Sequence, residues 1–464
     1  MSDYDAFVAS KQRFYDAIGV PDATVDRPWL FDFQRDLTAW ALRRGRAAIF
    51  ASTGLGKTRM ELEWARQVGT HTGGKVLVLA PMAVADQTVR EAREVGMVGV
   101  HRVRDQSDVT DATAVAVTNY DRLHRFDPSA FAGVVLDESS IIKHHDAKTL
   151  GLLMDAFART PFKLCATATP SPNDYSELGT HAEFLGVCTR AEMLSEYFCH
   201  DGGETQKWRL KGHARAPFWT WVASWGAMVR TPSDLGYDGS RYVLPPLKIH
   251  HHVCESVVPD GQLFADEALT LQDRRAARRA SMARRVSLCA GIVNADPRPW
   301  VIWCDLNDES KMLADAIPSA VEVTGSDDQD VKEKHLDQFA RGVVRSIVTK
   351  PKIAGFGLNW QHASRMAFVG VTDSWEAYYQ AVRRCWRFGQ AQPVHVHIFT
   401  SEAEGAVVAN LERKEDAARV MAEEVADATR EAVRSNIGAQ RRVQNTYNPS
   451  QEVRVPAWLV SENA

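Results

Sequence analysis

Ala47-Ala-Ile-Phe-Ala-Ser-Thr-Gly-Leu-Gly-Lys-Thr58, running directly into Arg59-Met-Glu-Leu-Glu-Trp-Ala-Arg66, is the stretch on which the fold is read. A short apolar run ending at Phe50, a glycine-containing loop and a helical pattern follow one another, which spells strand, turn and helix. The loop fits the phosphate-loop pattern, with Ala51 standing in the place of its first glycine. Such a loop needs glycine because backbone N–H groups must converge on phosphate oxygens with no Cβ in the way, and the helix start adds a favourable dipole. Gly54 and Gly56 meet that need, with Thr53 and Leu55 completing the cradle. Lys57 is then placed to neutralise β- and γ-phosphates, and Thr58 to hold Mg²⁺ through its hydroxyl.

Similar apolar runs recur on both sides of this unit, each followed by a polar or glycine-rich loop and a helical pattern, the signature of parallel α/β units. One group holds Ala47–Phe50, Lys75–Leu79, Val115–Thr118, Gly133–Leu136 and Lys163–Ala166. A second holds Trp300–Trp303, Val321–Thr324, Ser346–Thr349, Met366–Val369 and Val394–Phe399. The run Gly133-Val-Val-Leu-Asp-Glu-Ser-Ser140 supplies the carboxylate that a phosphate loop requires on a neighbouring strand. Asp137 would hold the metal, and Glu138 would orient or deprotonate an attacking water. Paired with Lys57, these residues imply hydrolysis of a nucleoside triphosphate.

The wider pattern resembles the superfamily 2 helicases and translocases, and within them the Swi/Snf-type branch, from about Leu30 to Phe399. Gln34, in Phe31-Asp-Phe-Gln-Arg-Asp-Leu37, matches the glutamine that reads the adenine edge in that family, which implies ATP. Ala80-Pro-Met82 with Asp86-Gln87, and Thr118-Asn-Tyr-Asp121, are similar to motifs that lie on the nucleic-acid backbone. Thr167-Ala-Thr-Pro170 resembles the hinge motif that couples hydrolysis to lobe movement. Thr349-Lys-Pro-Lys-Ile-Ala-Gly-Phe-Gly-Leu-Asn359 resembles the glycine-rich motif that bridges nucleotide and nucleic acid. The resemblance thus assigns Gly357 to the nucleotide, and Pro81, Asn119, Thr167, Lys350, Asn359 and Trp360 to nucleic acid.

Gln380-Ala-Val-Arg-Arg-Cys-Trp-Arg-Phe-Gly-Gln390 is the most specific of these motifs, matching Q-A-x-D-R-x-H-R-I-G-Q at Gln380, Ala381, Arg384, Arg387, Gly389 and Gln390. Arg384 and Arg387 are three apart on one helix face, so both guanidiniums can reach across a cleft to one γ-phosphate. Arg383 and Trp386 depart from the motif's Asp and His, and Asp-Glu-Ser-Ser departs from Asp-Glu-Ala-His at Ser140.

The resemblance implies an α/β fold of two tandem RecA-like parallel-sheet lobes with a helical insertion and a C-terminal helix. The expected division is an N-terminal extension (1–29), lobe 1 (30–187), a helical insertion (188–297), lobe 2 (298–400), and a C-terminal helix and tail (401–464). In the insertion, Gln206–Trp219 interleaves basic and aromatic residues, a composition suited to phosphates and exposed bases. Trp219, Trp221 and Trp225 fit either a core-facing helix stripe or a contact surface. Arg274, Arg275, Arg278, Arg279, Arg284 and Arg285 fit either a backbone-tracking stripe or a solvated face. His250-His-His252, with no cysteine or carboxylate set beside it in sequence, reads as a polar strand after Leu247.

The chain has 464 residues, enough for roughly three structural units. Apolar residues make up 45% and charged residues 25%, ordinary globular values that argue against global disorder. A formal net charge of −4 argues against binding polyanions by bulk charge but leaves room for a local basic groove. The seven cysteines include no C-x-x-C pair, which fits reduced thiols rather than a disulfide framework or a zinc ribbon. No apolar stretch of about 18 residues and no basic, apolar leader stands out. The expectation is a cytoplasmic, monomeric ATP- and Mg²⁺-dependent translocase on DNA, duplex favoured and single strand or RNA possible. The alternatives are a strand-separating helicase and a nucleotide-gated nucleic-acid-binding scaffold; five intact residues, Lys57, Asp137, Glu138, Arg384 and Arg387, argue against the scaffold.

Overall fold

The apolar runs of the sequence are buried on both faces, and strands of that kind pair in parallel beneath covering helices. The computed structural model describes residues 17–143, 148–171, 174–201, 204–254, 279–354, 359–370 and 374–402, with scattered helical positions between 413 and 437. In the N-terminal part, α1 (Asp32–Arg44) leads into β1 (Arg46–Ala51), α2 (Lys57–Thr72), β2 (Lys75–Ala80), α3 (Met82–Glu94), β3 (Val100–Arg102), β4 (Val115–Asn119) and β5 (Phe131–Asp137). There follow α4 (Lys148–Ala156), β6 (Phe162–Thr167), α5 (Leu178–Leu185), α6 (Arg190–Tyr197), the hairpin β7 (Phe198–Asp201) and β8 (Glu204–Leu210), α7 (Arg215–Trp225) and β9 (Gly226–Val229).

These strands form a seven-stranded sheet in the order β3-β4-β2-β5-β6-β1-β9, parallel throughout, with β7 and β8 apart as an antiparallel pair. Because β5, β6 and β1 are neighbours, the loops at their carboxyl ends share one edge. Open α/β sheets bind ligands at that edge.

The second sheet runs β10 (Leu247–Cys254), β15 (Val394–Ser401), β14 (Arg365–Val369), β11 (Trp300–Cys304), β13 (Ser346–Thr349) and β12 (Ala320–Glu322), again parallel throughout. Its helices are α8 (Met282–Ala295), α9 (Asn307–Ala316), α10 (Gln329–Ala340), α11 (Pro351–Ala354) and α12 (Trp375–Val382). Each sheet is covered on both sides by its own pair of apolar clusters. The expected two-sheet α/β architecture is therefore the observed one.

The segment 188–297 is not a separate helical insertion. β9 extends the first sheet beside β1, with Ala48 opposite Gly226, and β10 and α8 belong to the second. A four-residue strand such as Gly-Ala-Met-Val is too short to show a period, so only the pairing reveals it. Trp219, Trp221 and Trp225 are all buried in the first lobe, which makes them core. Of the expected arginine stripe, Arg274, Arg275 and Arg278 lie outside the described residues, Arg279 and Arg284 are exposed, and Arg285 is fully buried. The expected C-terminal helix falls mostly outside the described residues, but Val433 and Ile437 pack on the first lobe, and Arg434 donates to the carbonyls of Ser233 and Asp234, both at 2.8 Å. Among the described residues no helix is long and apolar enough to cross a membrane.

Arg285 pairs with Glu309 at 2.7 Å, both side chains out of solvent, and its Nε donates to Ser281 Oγ at 3.0 Å. Glu309 also accepts the backbone N–H groups of Asp305 and Leu306, so α8 is pinned to the start of α9. Removing one partner strands a charge in the interior. Arg285→Ala is expected to cost about 3–5 kcal/mol of stability, whereas Arg285→Met with Glu309→Leu should recover most of it. Denaturant titration of the three proteins measures this.

Candidate active site

The loop between β1 and α2 reaches its shape through left-handed glycines, Gly54 at φ 91° and Gly56 at φ 77°. A Cβ on Gly56 would meet Gln34 Nε2 at 2.3 Å, and one on Gly54 would meet Phe388 Cβ at 2.8 Å. Gly54 therefore excludes a side chain on steric as well as conformational grounds, and Gly56 on conformational grounds, since a Cβ there would displace the end of the Gln34 side chain. Lys57 opens α2 and turns back, its Nζ donating to Ala51 O at 2.9 Å. Burial lowers its pKa, while Glu138, Asp137 and Glu61 oppose the shift.

Asp137 closes β5, and burial, reinforced by the charge of Glu138, pushes its carboxyl up to about 7. Glu138 has φ 51°, the one non-glycine residue in the left-handed region among the described residues. Its backbone N–H donates to Asp137 Oδ1 at 2.9 Å, and its Oε2 accepts from Thr167 Oγ1 at 3.2 Å. Holding that conformation costs of order 1–3 kcal/mol, a strain found where a side chain must be aimed. Glu61, one turn after Lys57, is buried with neither carboxylate oxygen hydrogen-bonded among the described residues, and burial followed by the charge of Asp137 raises its pKa well above normal. Three carboxylates thus face one ammonium. A divalent cation fits Asp137 and Glu138, which share the cleft with the Thr58 hydroxyl and with no thiolate, while Glu61 lies behind them off the cleft lining.

The opposite wall comes from the second sheet. Arg384 and Arg387 line a cleft of about 490 Å³ together with Thr53, Lys57, Asp137 and Glu138. Burial lowers the Arg384 guanidinium to about 9, with Glu138 acting against that shift. Burial also lowers Arg387, opposed by Glu91. Gln380 joins the two walls: its Nε2 donates to Thr169 Oγ1 at 3.3 Å, and its Oε1 and backbone O accept from Arg384 at 3.1 and 3.0 Å. Thr169 in turn donates its N–H to Thr167 Oγ1 at 3.1 Å. A chain of polar contacts therefore runs from Glu138 through Thr167, Thr169 and Gln380 to Arg384.

Arg383, the departure from the Swi/Snf-type motif, crosses the cleft and donates to Thr53 O at 2.9 Å, its guanidinium over the Trp386 ring at 5.2 Å. Trp386, the second departure, donates its indole N–H to Pro245 O at 2.7 Å and so holds the segment between the sheets. Ser139 Oγ lies 3.1 Å from His181 Nε2, a buried imidazole whose pKa burial lowers to about 4.

Thr53, Gly54, Gly56, Lys57, Thr58, Asp137, Glu138, Arg384 and Arg387 converge on this cleft as the sequence predicts. Leu55 is instead in the core and serves by its carbonyl, which accepts from Gln34 Nε2 at 2.8 Å. Gln34 also accepts from the Phe31 N–H at 2.9 Å, so it braces the loop with both ends of its amide. Gly357 lies outside the described residues. Thr167 and Trp360, expected on nucleic acid, are fully buried: Thr167 bonds Glu138, and Trp360 stacks on Trp303 at 5.8 Å. Asn119 is also buried, and Asn359 lines the nucleotide cleft. Of the expected set, Pro81 and Lys350 alone remain partly accessible away from that cleft; Lys350 donates to Asn307 Oδ1 at 2.6 Å.

Sequence reasoning misses Glu61, Arg383, His181 and the aromatic pair Tyr242 and Phe388, which stack at 4.6 Å on the cleft wall. Glu61 was discoverable, since it lies four residues from Lys57 on one helix face. Tyr242 carries no local signal. Arg383→Ala is expected to raise the KM for nucleotide several-fold with a smaller change in kcat, because its contact is to the loop backbone; steady-state kinetics measure the split. Gly54→Ala should remove nucleotide binding, as followed by a fluorescent analogue.

Residues 286–389 match the family model of the helicase conserved C-terminal domain. That span holds the second lobe from α8 to Gly389, including Gln380, Arg384 and Arg387. A comparison with curated proteins gives no match. The second lobe is thus similar to a helicase C-terminal domain, and the two parallel sheets with their flanking helices fit two tandem RecA-like lobes.

Proposed function

We propose that the protein is an ATP-dependent translocase of Swi/Snf type that moves on DNA, duplex in preference to single strand, for remodelling, branch migration or annealing. The observation that carries this reading is the polar chain from Glu138 to Arg384, because it makes the water-activating side of the cleft and the arginine side respond to each other. A binding scaffold has no use for such a link.

ATP enters between the lobes with its phosphates on the loop of Gly54, Gly56 and Lys57. Asp137 and Thr58 would hold Mg²⁺, which screens the phosphate charge when bound. Glu138, fixed by its backbone and by Thr167, aligns the attacking water and accepts its proton. Arg384 and Arg387 meet the charge that develops on the γ-phosphate, a contribution worth about 10³ to 10⁵ in rate where such arginines have been removed. Hydrolysis ends that attraction and frees the lobes.

The lobes also touch through partly exposed pairs, Arg90 on the cleft wall with Asp337 at 3.0 Å and Arg102 with Glu333 at 2.9 Å, besides Lys143 with Glu376. Exposed pairs are worth about 0–1 kcal/mol each, weak enough to be remade every cycle.

Duplex DNA is expected to stimulate ATP hydrolysis more than single-stranded DNA or RNA, and the protein should displace a triplex-forming strand. Hydrolysis that is indifferent to every nucleic acid would sink the motor reading, and efficient strand separation without triplex displacement would favour a helicase. Lys57→Ala and Glu138→Gln should each reduce hydrolysis by at least about 10³-fold. Gln380→Ala should lower the DNA-stimulated kcat while leaving nucleotide affinity within about twofold, a split that single-turnover kinetics resolve.

A further inference from the structure

His250 and His252 on β10 and His395 and His397 on β15 occupy one face of the edge of the second sheet, because the parallel register sets Lys248 opposite His395 and His250 opposite His397. Two H-x-H stretches far apart in sequence thus become one ladder. His250 Nε2 lies 2.9 Å from His395 Nδ1, and His252 Nε2 lies 2.9 Å from His397 Nδ1. The rings stack in turn, His395 on His250 at 5.1 Å, His250 on His397 at 4.6 Å and His397 on His252 at 5.2 Å. Polar side chains need a reason to be stacked at a sheet edge where the other face of β15 presents Val394, Val396 and Ile398 to the core.

We propose that His250, His395 and His397 form a binding site for a divalent first-row transition cation, zinc foremost, that ties β10 to β15. One ring nitrogen from each residue lies within 4.8 Å of the others, all three residues being half-buried. Two nitrogens each about 2.1 Å from a shared ion are about 3.0 Å apart at a right angle and about 3.4 Å apart in a tetrahedron, so the His250–His395 pair is already at ligand spacing and the His397 ring has to close by up to about 1.4 Å to complete the site. Three imidazoles without thiolate or carboxylate select zinc, cobalt, nickel or copper over calcium and magnesium, and leave a further position for water. The ligand form of histidine is neutral, and burial together with neighbouring imidazoles holds His395 and His397 below their ordinary pKa. His252 is placed to orient the His397 ring through Nδ1, the support a ligating histidine ordinarily has.

The site would act on structure rather than on hydrolysis. β10 is an edge strand that arrives from the segment crossing between the lobes, and the ion would fasten it at its middle.

The test uses untagged full-length protein stripped with chelator and titrated with Co²⁺, read by visible absorption, with Zn²⁺ as competitor and melting temperature as a second readout. About one equivalent should bind, Zn²⁺ should displace it, and the melting temperature should rise. His250→Gln and His395→Gln should each weaken binding at least tenfold and abolish the thermal shift, while His251→Gln, on the opposite face of β10, should behave as wild type. Wild-type protein that neither binds the metals nor gains thermal stability overturns the proposal, even if a variant fails to fold. So does affinity that persists unchanged in both variants.

Discussion

Charges taken out of water must be matched by other charges, and at the carboxyl ends of β1 and β5, with the first turn of α2 beside them, Asp137, Glu138 and Glu61 are buried around the partly exposed Lys57. One ammonium does not balance three carboxylates. Burial, with the neighbouring carboxylates adding to it, raises the Asp137 and Glu61 carboxyls, and the arginines of the second lobe line the cleft from the other side. The two arginines offset that excess; in the proposed reading the phosphates of a bound nucleotide would draw the arginines and Lys57 from the two walls, so that closure would rest on charge beside the aromatic contact of Tyr242 with Phe388.

Transmission across the cleft then rests on short contacts. Glu138 is held in a left-handed conformation, Thr167 touches its carboxylate, and Gln380 touches both Thr169 and Arg384. Each side chain has one job and little freedom. Arg383 adds a direct grip on the phosphate loop where the motif that the sequence resembles has an acid, and at that position an acid would have presented a carboxylate to the Thr53 carbonyl. Trp386, in the turns that carry the arginines, anchors the segment leading to β10 at Pro245.

Sequence alone revealed what has a local signature. The phosphate loop and the strand ending at Asp137 are written in glycines and apolar runs, and the structure brings them to one cleft with Arg384 and Arg387, although these arginines lie in the turns after α12, which ends at Val382, and not on a helix face as expected. The strand expected at Val321–Thr324 is shifted to Ala320–Glu322, an ordinary uncertainty at strand ends. Features set by pairing were not legible: β9 is too short to declare itself, and the histidine ladder exists only in the register of β10 against β15. Nor does a motif tell a contact from a support, since Thr167 and Trp360 lie inside the protein and act on other side chains. Arg285 sat in an arginine-rich run that reads as a surface, and only its ion pair with Glu309 shows otherwise.

If nucleotide charge is what closes the cleft, the separation of the lobes must depend on it. Single-molecule energy transfer between one dye on each sheet domain measures that separation directly. The account expects a broad distribution without nucleotide that narrows to the docked separation with a non-hydrolysable magnesium ATP analogue, and no narrowing when Arg384 and Arg387 are both replaced by alanine. A distribution that ignores nucleotide, or that narrows equally without the arginines, would contradict it.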